Sequence, residues 1–594
     1  MRITALGQAG LFVETRHGSI LCDPWFNPAY YASWFPFPSN EHLDPQTLAN
    51  PTYLYVSHQH HDHFDPQWLR DHVNKDTPVI IPPFPLDLLE RAIRDCGFTN
   101  FIHPRNYEWF ELGDGLKVML AASVAPTDGP LGDSGIVIDD GETRVYDQND
   151  SRPVDLDALI AAGPYDAHFL QYSGAIWYPM VYLYPEKMME ALGRKKRDNE
   201  MARALRYAKE IGATNVIPSA GPPCFLDDDL FKFNDFDRDP VNTFPDEAVF
   251  LDFMAENGYH NGKLMIPGTA IEITPDRCEV FHDRPEAEVN AIFTNKRAYL
   301  EAYKARQQPR IDAIKASWPR GQVDILASLQ EWFEPLIEAA DMTAVGINGR
   351  VLLDCDTVAV VLDFQTRKVY AWNGEEWEYR LHVKPELIES AIMRHQEDWV
   401  NDLFLSCRFE AERKGAYNEY VYNFFKCLTL ERLEYAEGYY AEKNHENQFF
   451  EAAGYSIQRR CPHLRADLTR FSHIDDGVLT CTLHGWQFDL ETGACLTSDD
   501  RRIFAQRLTD DGQLVTLTTE AGPAQPAPVQ PAIVQRLTND GQFVKVTADT
   551  TPDKQEAQIG GGLPVSVDQR AYRDDLRLIR DRCSHCWYDP KRKL

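Results

Sequence analysis

The run Ser57-His58-Gln59-His60-His61-Asp62-His63 holds donors in the pattern H-x-H-x-D-H: His58, His60, Asp62 and His63. Imidazole nitrogen suits zinc, iron and copper, and an added carboxylate favours iron, manganese or zinc. The residues just before it, Thr52-Tyr53-Leu54-Tyr55-Val56, are apolar and aromatic and predict a short buried strand. A strand that ends in such a cluster delivers it to a loop at the sheet edge, where alternate residues turn inward together. A solvated polar loop is the plain alternative, and it accounts poorly for imidazoles and a carboxylate at this spacing.

A second donor set lies far downstream. Cys461-Pro462-His463 is followed, after seventeen residues, by Cys481-Thr482-Leu483-His484. Two thiolates and two imidazoles suit a [2Fe–2S] cluster in which histidines replace cysteines on one iron, with structural zinc as the alternative. Gly485-Trp486-Gln487-Phe488-Asp489 and Gly493 extend a resemblance to Rieske domains. That resemblance implies Cys461, His463, Cys481 and His484 as cluster ligands. A Rieske cluster moves single electrons and makes no bonds itself.

The upstream motif resembles the metal-binding signature of the metallo-β-lactamase fold. Ile3 to Glu14 is similar to that fold's first hairpin, and Ile20-Leu21-Cys22-Asp23-Pro24 to its next strand. Tyr146-Asp147-Gln148-Asn149-Asp150-Ser151 is similar to the family's Y-H-x-G-D-T turn. The resemblance implies His58 and His60 on one metal, Asp62 and His63 on a second, and Asp150 as a bridging carboxylate. Asp62 and Asp150 are then the catalytic carboxylates. Two family histidines are missing, one from Ala122–Asp128 and one from Val216–Gly221. Asp128, Asp133, His168 and Gln171 are the candidates to replace them. A site short of ligands has open positions, where substrate or oxygen binds.

The pairing of these two motifs resembles the CMP-N-acetylneuraminate hydroxylase family. It implies a mononuclear or dinuclear non-haem iron that hydroxylates or N-oxygenates a small molecule with O2, electrons entering through the Rieske cluster. Hydrolysis needs no electrons, so the fusion favours iron over zinc. A zinc hydrolase with an accessory Rieske domain and a non-catalytic redox protein are the alternatives. The sequence carries no Gly-rich dinucleotide fingerprint, so the expected donor is an external ferredoxin or cytochrome with its reductase. Arg459, Arg460, Arg465 and Arg470 would receive an acidic carrier by electrostatic steering.

A chain of 594 residues holds several domains. The expected class is multidomain α/β and β: a metallo-β-lactamase αββα sandwich (1–290), a helical connector (291–340), a small α+β domain (341–430) and a Rieske β domain (431–520). A Pro-rich linker (521–534) and a C-terminal hairpin and tail (535–594) follow. The 341–430 segment resembles lipid-carrier-like α+β domains. Glu200–Gly212 has helical spacing and stops at glycine, and the preceding basic run Arg194–Arg197 reads as a solvated face. Tyr172–Pro179 reads either as a pocket wall or as packed core. Gln506–Val515 recurs as Gln535–Val544, with Asp-Gly marking a hairpin. Cys583 and Cys586 form a C-x-x-C with an ordinary reduced tail as its default reading. A net charge of −31 excludes a general nucleic-acid binder. No apolar run spans a bilayer, and the N-terminus enters a strand pattern directly, so a cytoplasmic location is expected. A homo-oligomer is compatible with all of this.

Overall fold

Alternation of side chains sets the layers. Strands β1 (Arg2–Gly7), β2 (Gly10–Thr15), β3 (Gly18–Cys22), β4 (Tyr53–Tyr55), β5 (Val79–Ile80) and β6 (Phe101–Ile102) belong to one sheet. Successive strand residues point to opposite faces. Thus Ile20, Cys22, Tyr55 and Ile80 enter one core cluster, whereas Leu21, Leu54, Val56 and Val79 enter another. The first cluster is completed by a second sheet, built from β7 (Trp109–Gly113), β8 (Leu116–Ser123), β9 (Asp133–Asp139), β10 (Arg144–Asn149), β11 (Ala167–Gln171) and β12 (Asn215–Ser219). The other cluster is completed by helices α1 (Pro66–His72) and α2 (Leu88–Asp95), through Trp68, Leu69, Leu89 and Ile93. Helices α3 (Asp157–Ala162), α4 (Glu186–Ile211) and α5 (Glu247–Glu256) follow, α4 packing on β11 and α5 on β12. Helix, sheet, sheet, helix is the metallo-β-lactamase αββα sandwich.

This computed structural model describes residues 1–123, 131–174, 176–234, 236, 243–441, 449–462, 466–483, 485–497, 502–508, 534–537 and 543–546. Two further strands, β13 (Ala270–Thr274) and β14 (Arg277–Phe281), give a first sheet of order β14-β13-β1-β2-β3-β4-β5-β6, facing β12-β11-β10-β9-β8-β7. Pairing is parallel from β3 to β6 and from β10 to β12. Parallel strands bring their C-terminal ends to one edge, the place where open α/β sheets bind ligands. The loops after β3, β4 and β10 all leave there.

Helix α4 begins well before the Glu200 expected from the sequence and ends at Gly212, whose φ is +66°. The basic run therefore lies inside the helix and is solvated only in part: Arg194 is exposed, whereas Arg197 is buried and Lys196 Nζ donates to the Gly174 carbonyl at 2.7 Å. Tyr172 and Trp177 are packed core, Trp177 meeting Phe404 and Tyr422 at ring distances of 5.7 Å.

Helices α6 (Glu286–Thr294), α7 (Lys296–Ala316) and α8 (Ile325–Ala339) lead to a third sheet, β15 (Arg350–Asp354), β16 (Ala359–Asp363), β17 (Lys368–Ala371), β18 (Tyr379–Val383) and β19 (Phe409–Arg413), ordered β17-β16-β15-β18-β19. Met1–Arg413 with Asn418–Glu442 forms one unit, and Lys414–Tyr417 with Lys443–Leu594 the other. In the second unit β20 (Phe449–Ala452) and β21 (Tyr455–Gln458) share a sheet with later strands, and β22 (Ser472–Asp475), β23 (Val478–Cys481) and β24 (Trp486–Asp489) form an antiparallel meander. The second copy of the repeat pairs Val534–Leu537 with Phe543–Val546 as a hairpin, Leu537 opposite Phe543. The Pro-rich linker and the tail with Cys583 and Cys586 lie outside the described residues.

Candidate metal centre and Rieske loops

Strand β4 runs straight into the donor loop, and β3 supplies its foundation. Asp23, at φ +43° just past β3, donates its backbone N–H to the Tyr55 carbonyl at 3.1 Å. Its carboxylate accepts from Ser57 N at 2.7 Å and Ser57 Oγ at 2.5 Å, and from His63 Nδ1 at 2.8 Å. Fixing Nδ1 on a carboxylate turns Nε2 of His63 toward the other donors, the outer-partner arrangement of metal-binding histidines. Nε2 stands 3.5 Å from Asp150 Oδ1 and 3.6 Å from Asp62 Oδ2. Asp62 is held from two directions, Tyr30 O–H donating to Oδ1 at 2.7 Å and Gln8 Nε2 to Oδ2 at 3.1 Å.

Among the described residues, His58, His60 and Asp150 form a donor group whose ligand atoms lie within 4.8 Å of one another. His58 Nε2 and His60 Nδ1 are 2.7 Å apart, a hydrogen-bond distance, and these two imidazoles would serve as ligands if a cation were bound. His63 Nε2 and Asp150 Oδ1 are buried without a well-formed hydrogen bond. Such atoms are expected to find a partner, and a bound ion supplies one. Two imidazoles and a carboxylate, with a charged His–Asp pair alongside, fit a zinc or iron ion.

Charge divides the loop. Burial and the neighbouring His63 push His60 down to about 3, and burial with the same neighbour pushes His58 well below the ordinary imidazole range. Both offer neutral nitrogen. At His63 burial opposes the charge, but Asp150, Asp62 and Asp23 outweigh it and raise the group well above that range. Burial likewise opposes the charge on Asp150, and His63 beside it lowers the group below the ordinary carboxylate range.

Of the substitutes expected for the missing family histidines, Asp133 comes nearest, its Oδ1 3.3 Å from His58 Nδ1. His168 is turned away: its Nε2 pairs with Gln148 at 2.9 Å, its ring stacks on Tyr146, and burial pushes it down to about 3. Gln171 accepts from Arg152 at 3.1 Å. Asp128 lies outside the described residues. Sequence reasoning missed Asp23, Tyr30 and Gln8, whose partners are remote in the chain. One signal was available for Asp23, a lone carboxylate closing an apolar strand.

In the second unit Cys461 follows β21 and Cys481 ends β23. Both are buried and neither is in a disulfide. Cys461 N donates to the Ala466 carbonyl at 2.9 Å, and Gly485 N to the Cys481 carbonyl at 2.8 Å, closing a tight turn around each thiol. Gly485 takes φ +69°, which favours glycine. Buried, reduced thiols beside an open-handed glycine turn fit the cluster. His463, His484 and Arg465 lie outside the described residues. Arg459 is not available for docking a carrier: it pairs with buried Asp467 at 2.6 Å and its side chain is only 14% exposed.

Residues 445–504 match the family model of the Rieske [2Fe-2S] domain, so the chain carries an iron–sulfur electron-transfer module. Residues 325–442 match the "Rv3818-like, SCP2-like domain". A Rieske 2Fe-2S iron-sulfur protein of Mycobacterium tuberculosis (strain ATCC 25618 / H37Rv), Rv3818, is 46% identical over 516 residues, covering 85% of this chain and 100% of the relative. A Rieske 2Fe-2S iron-sulfur protein of Mycolicibacterium smegmatis (strain ATCC 700084 / mc(2)155) is 46% identical over 520 residues, covering 86% and 100%. The chain belongs to this family of Rv3818-like Rieske proteins, whose names state a cluster and no reaction. Among solved structures, isothiocyanate hydrolase from Delia radicum gut bacteria aligns at 15% identity and TM-score 0.34, covering 46% of this chain and 100% of that one. CmlA, a diiron β-hydroxylase from Streptomyces venezuelae, aligns at 17% identity and TM-score 0.29, covering 47% and 54%. At such scores neither bears on this chain's chemistry. No helix among the described residues is long and apolar enough to cross a membrane.

Proposed function

We propose that this chain is an iron-dependent oxygenase whose Rieske domain delivers electrons to a non-haem iron held by His58, His60 and Asp150. One observation carries the reading: an electron-transfer domain and a cluster of two imidazoles and a carboxylate, His58 buried and His60 and Asp150 half-buried, stand on one polypeptide. That donor set, with open positions, suits non-haem iron(II) and O2, and a hydrolase has no use for electrons. Iron bound there would supply O2 activation for oxygen insertion into a C–H or N–H bond of a small molecule.

The chain's own groups prepare that chemistry. Asp23 and Ser57 orient His63, Tyr30 and Gln8 hold Asp62, and burial of His58, Asp62 and His63 keeps bulk water from the donors. Insertion of one oxygen atom from O2 consumes two electrons and two protons and releases water. The cluster stores one electron, so an external ferredoxin- or cytochrome-type donor supplies the rest. The pairing of domains resembles that of the CMP-N-acetylneuraminate hydroxylases, which supports a small-molecule substrate.

Iron, zinc and acid-labile sulfide measured on anaerobically purified protein, with the electron paramagnetic resonance spectrum of the reduced sample, test this reading. A Rieske signal with more than two irons per chain is expected. Two irons with stoichiometric zinc would overturn it in favour of a hydrolase.

A further inference from the structure

Three consecutive non-glycine residues, Tyr30, Tyr31 and Ala32, have φ of +49°, +60° and +56°. Residues with a Cβ visit this left-handed region singly, not in runs. Strain of this kind persists only where the surroundings over-determine it, and it gathers at functional sites.

The turn has one evident product. It carries the buried Tyr30 phenol to Asp62, where the hydroxyl donates at 2.7 Å and accepts from His61 N at 3.1 Å. The Tyr30 ring lies parallel to His61 and meets Trp34 edge-on. Locally the turn is closed by Ser33 N donating to the Ala29 carbonyl at 3.0 Å and by Ala29 N donating to the Trp34 carbonyl at 3.1 Å. The remaining restraint comes from residues hundreds of positions away. Arg408 Nε donates to the Tyr31 carbonyl and Nη2 to the Ala32 carbonyl, each at 3.1 Å. The guanidinium is itself fixed by Asp227 at 2.7 Å, with side chains 5% and 2% exposed. Tyr31 O–H donates to Gln396 Oε1 at 2.5 Å. Arg408 and Gln396 belong to the SCP2-like domain, while the turn belongs to the sandwich.

We propose that Arg408 is a positioning residue of the metal centre: the SCP2-like domain clamps the strained turn Tyr30–Ala32 and, through Tyr30, fixes Asp62 at the donor loop. This rests on the metal-site reading above. It gives the SCP2-like domain a structural part in the centre, so that the sandwich without it would hold Asp62 loosely.

The test uses the full chain and the variants Arg408→Ala, Arg408→Lys and Tyr30→Phe. Zinc affinity by chelator competition, the absorption spectrum of the cobalt(II)-loaded site, and amide hydrogen exchange over residues 29–34 are compared. Arg408→Ala is expected to speed exchange in the turn at least about tenfold and to weaken zinc about 10- to 100-fold, the range for loss of an outer partner. Tyr30→Phe should weaken zinc and alter the cobalt spectrum in the same way without speeding exchange. Arg408→Lys, which keeps one donor, should fall between wild type and Arg408→Ala. Wild-type exchange in Arg408→Ala would overturn the clamp, and fast exchange with unchanged zinc affinity would overturn its link to the metal centre. If Arg408→Ala does not fold, the lysine and Tyr30→Phe variants decide by the same readings. If His58→Ala and His60→Ala leave zinc affinity untouched, the metal reading fails, and the exchange comparison still decides the clamp.

Discussion

The sandwich centre and the Rieske loops solve the same problem by different means. In the Rieske unit, each thiol sits in a tight turn closed by backbone hydrogen bonds within a few residues: Cys461 N to Ala466, Gly485 N to Cys481. In the sandwich, the donor loop has local bonds of its own, such as His63 N to the His60 carbonyl, but much of what fixes the donors is remote. Asp150 arrives from β10, and Asp23, Tyr30 and Gln8 reach the loop from three other segments. A locally closed site travels with its motif, whereas a site assembled from remote parts depends on the whole layer stack and can be retuned by residues that never touch the metal.

Perturbing either region should sharpen this contrast. The largest expected effect is Cys461→Ser, which should abolish the Rieske signal while the sandwich keeps its metal; joint loss of both would break the separation. Next come His60→Ala and Asp150→Asn, each weakening sandwich metal binding by more than the roughly 100-fold that outer partners are worth, with the Rieske spectrum intact. Asp23→Asn follows at about 10- to 100-fold, read by the same chelator competition. An unchanged affinity there would show that the His63 side is not part of the centre.

A separate effect, on stability and not on metal binding, lies in the frame of the sandwich. Glu247 lines a cavity of about 20 Å³ together with Gln8 and Ser219, and its Oε2 is buried without a partner. Burial and the adjacent Asp246 push it up to about 8, from an ordinary 4.5. Between these values the folded protein keeps a proton that the unfolded chain releases. The contribution to stability is therefore full below pH 4.5 and is lost as pH rises to about 8, with a slope of up to about 1.4 kcal/mol per pH unit. Urea midpoints of wild type should fall relative to Glu247→Gln between pH 5 and pH 9. Parallel curves would mean that Glu247 titrates alike in both states.

What the sequence disclosed follows the same division. The donor loop, the strand that delivers it and the α/β layering were legible, because H-x-H-x-D-H and the alternation through Leu54 and Tyr55 are local patterns. Asp133 was legible only as one of four candidates, since its approach to His58 is set by the pairing of β8 with β9. Tyr30 and Arg408 carried no signal: a left-handed run of Tyr-Tyr-Ala is contrary to local preference, and an arginine far downstream supplies part of what holds it. The burial of Arg197 in α4 was missed because charge was read as exposure, and Lys196 beside it caps the Gly174 carbonyl.

The most direct measurement is the reoxidation of fully reduced, iron-loaded protein by O2, followed at the Rieske absorbance by stopped flow. If the sandwich iron is the outlet for the cluster's electrons, the reaction is fast in wild type and slows at least about 100-fold in His60→Ala and Asp150→Asn, variants whose cluster spectrum is unchanged. Equal rates in all three proteins would mean that the cluster's electrons do not pass to the sandwich centre, and the oxygenase reading would fall.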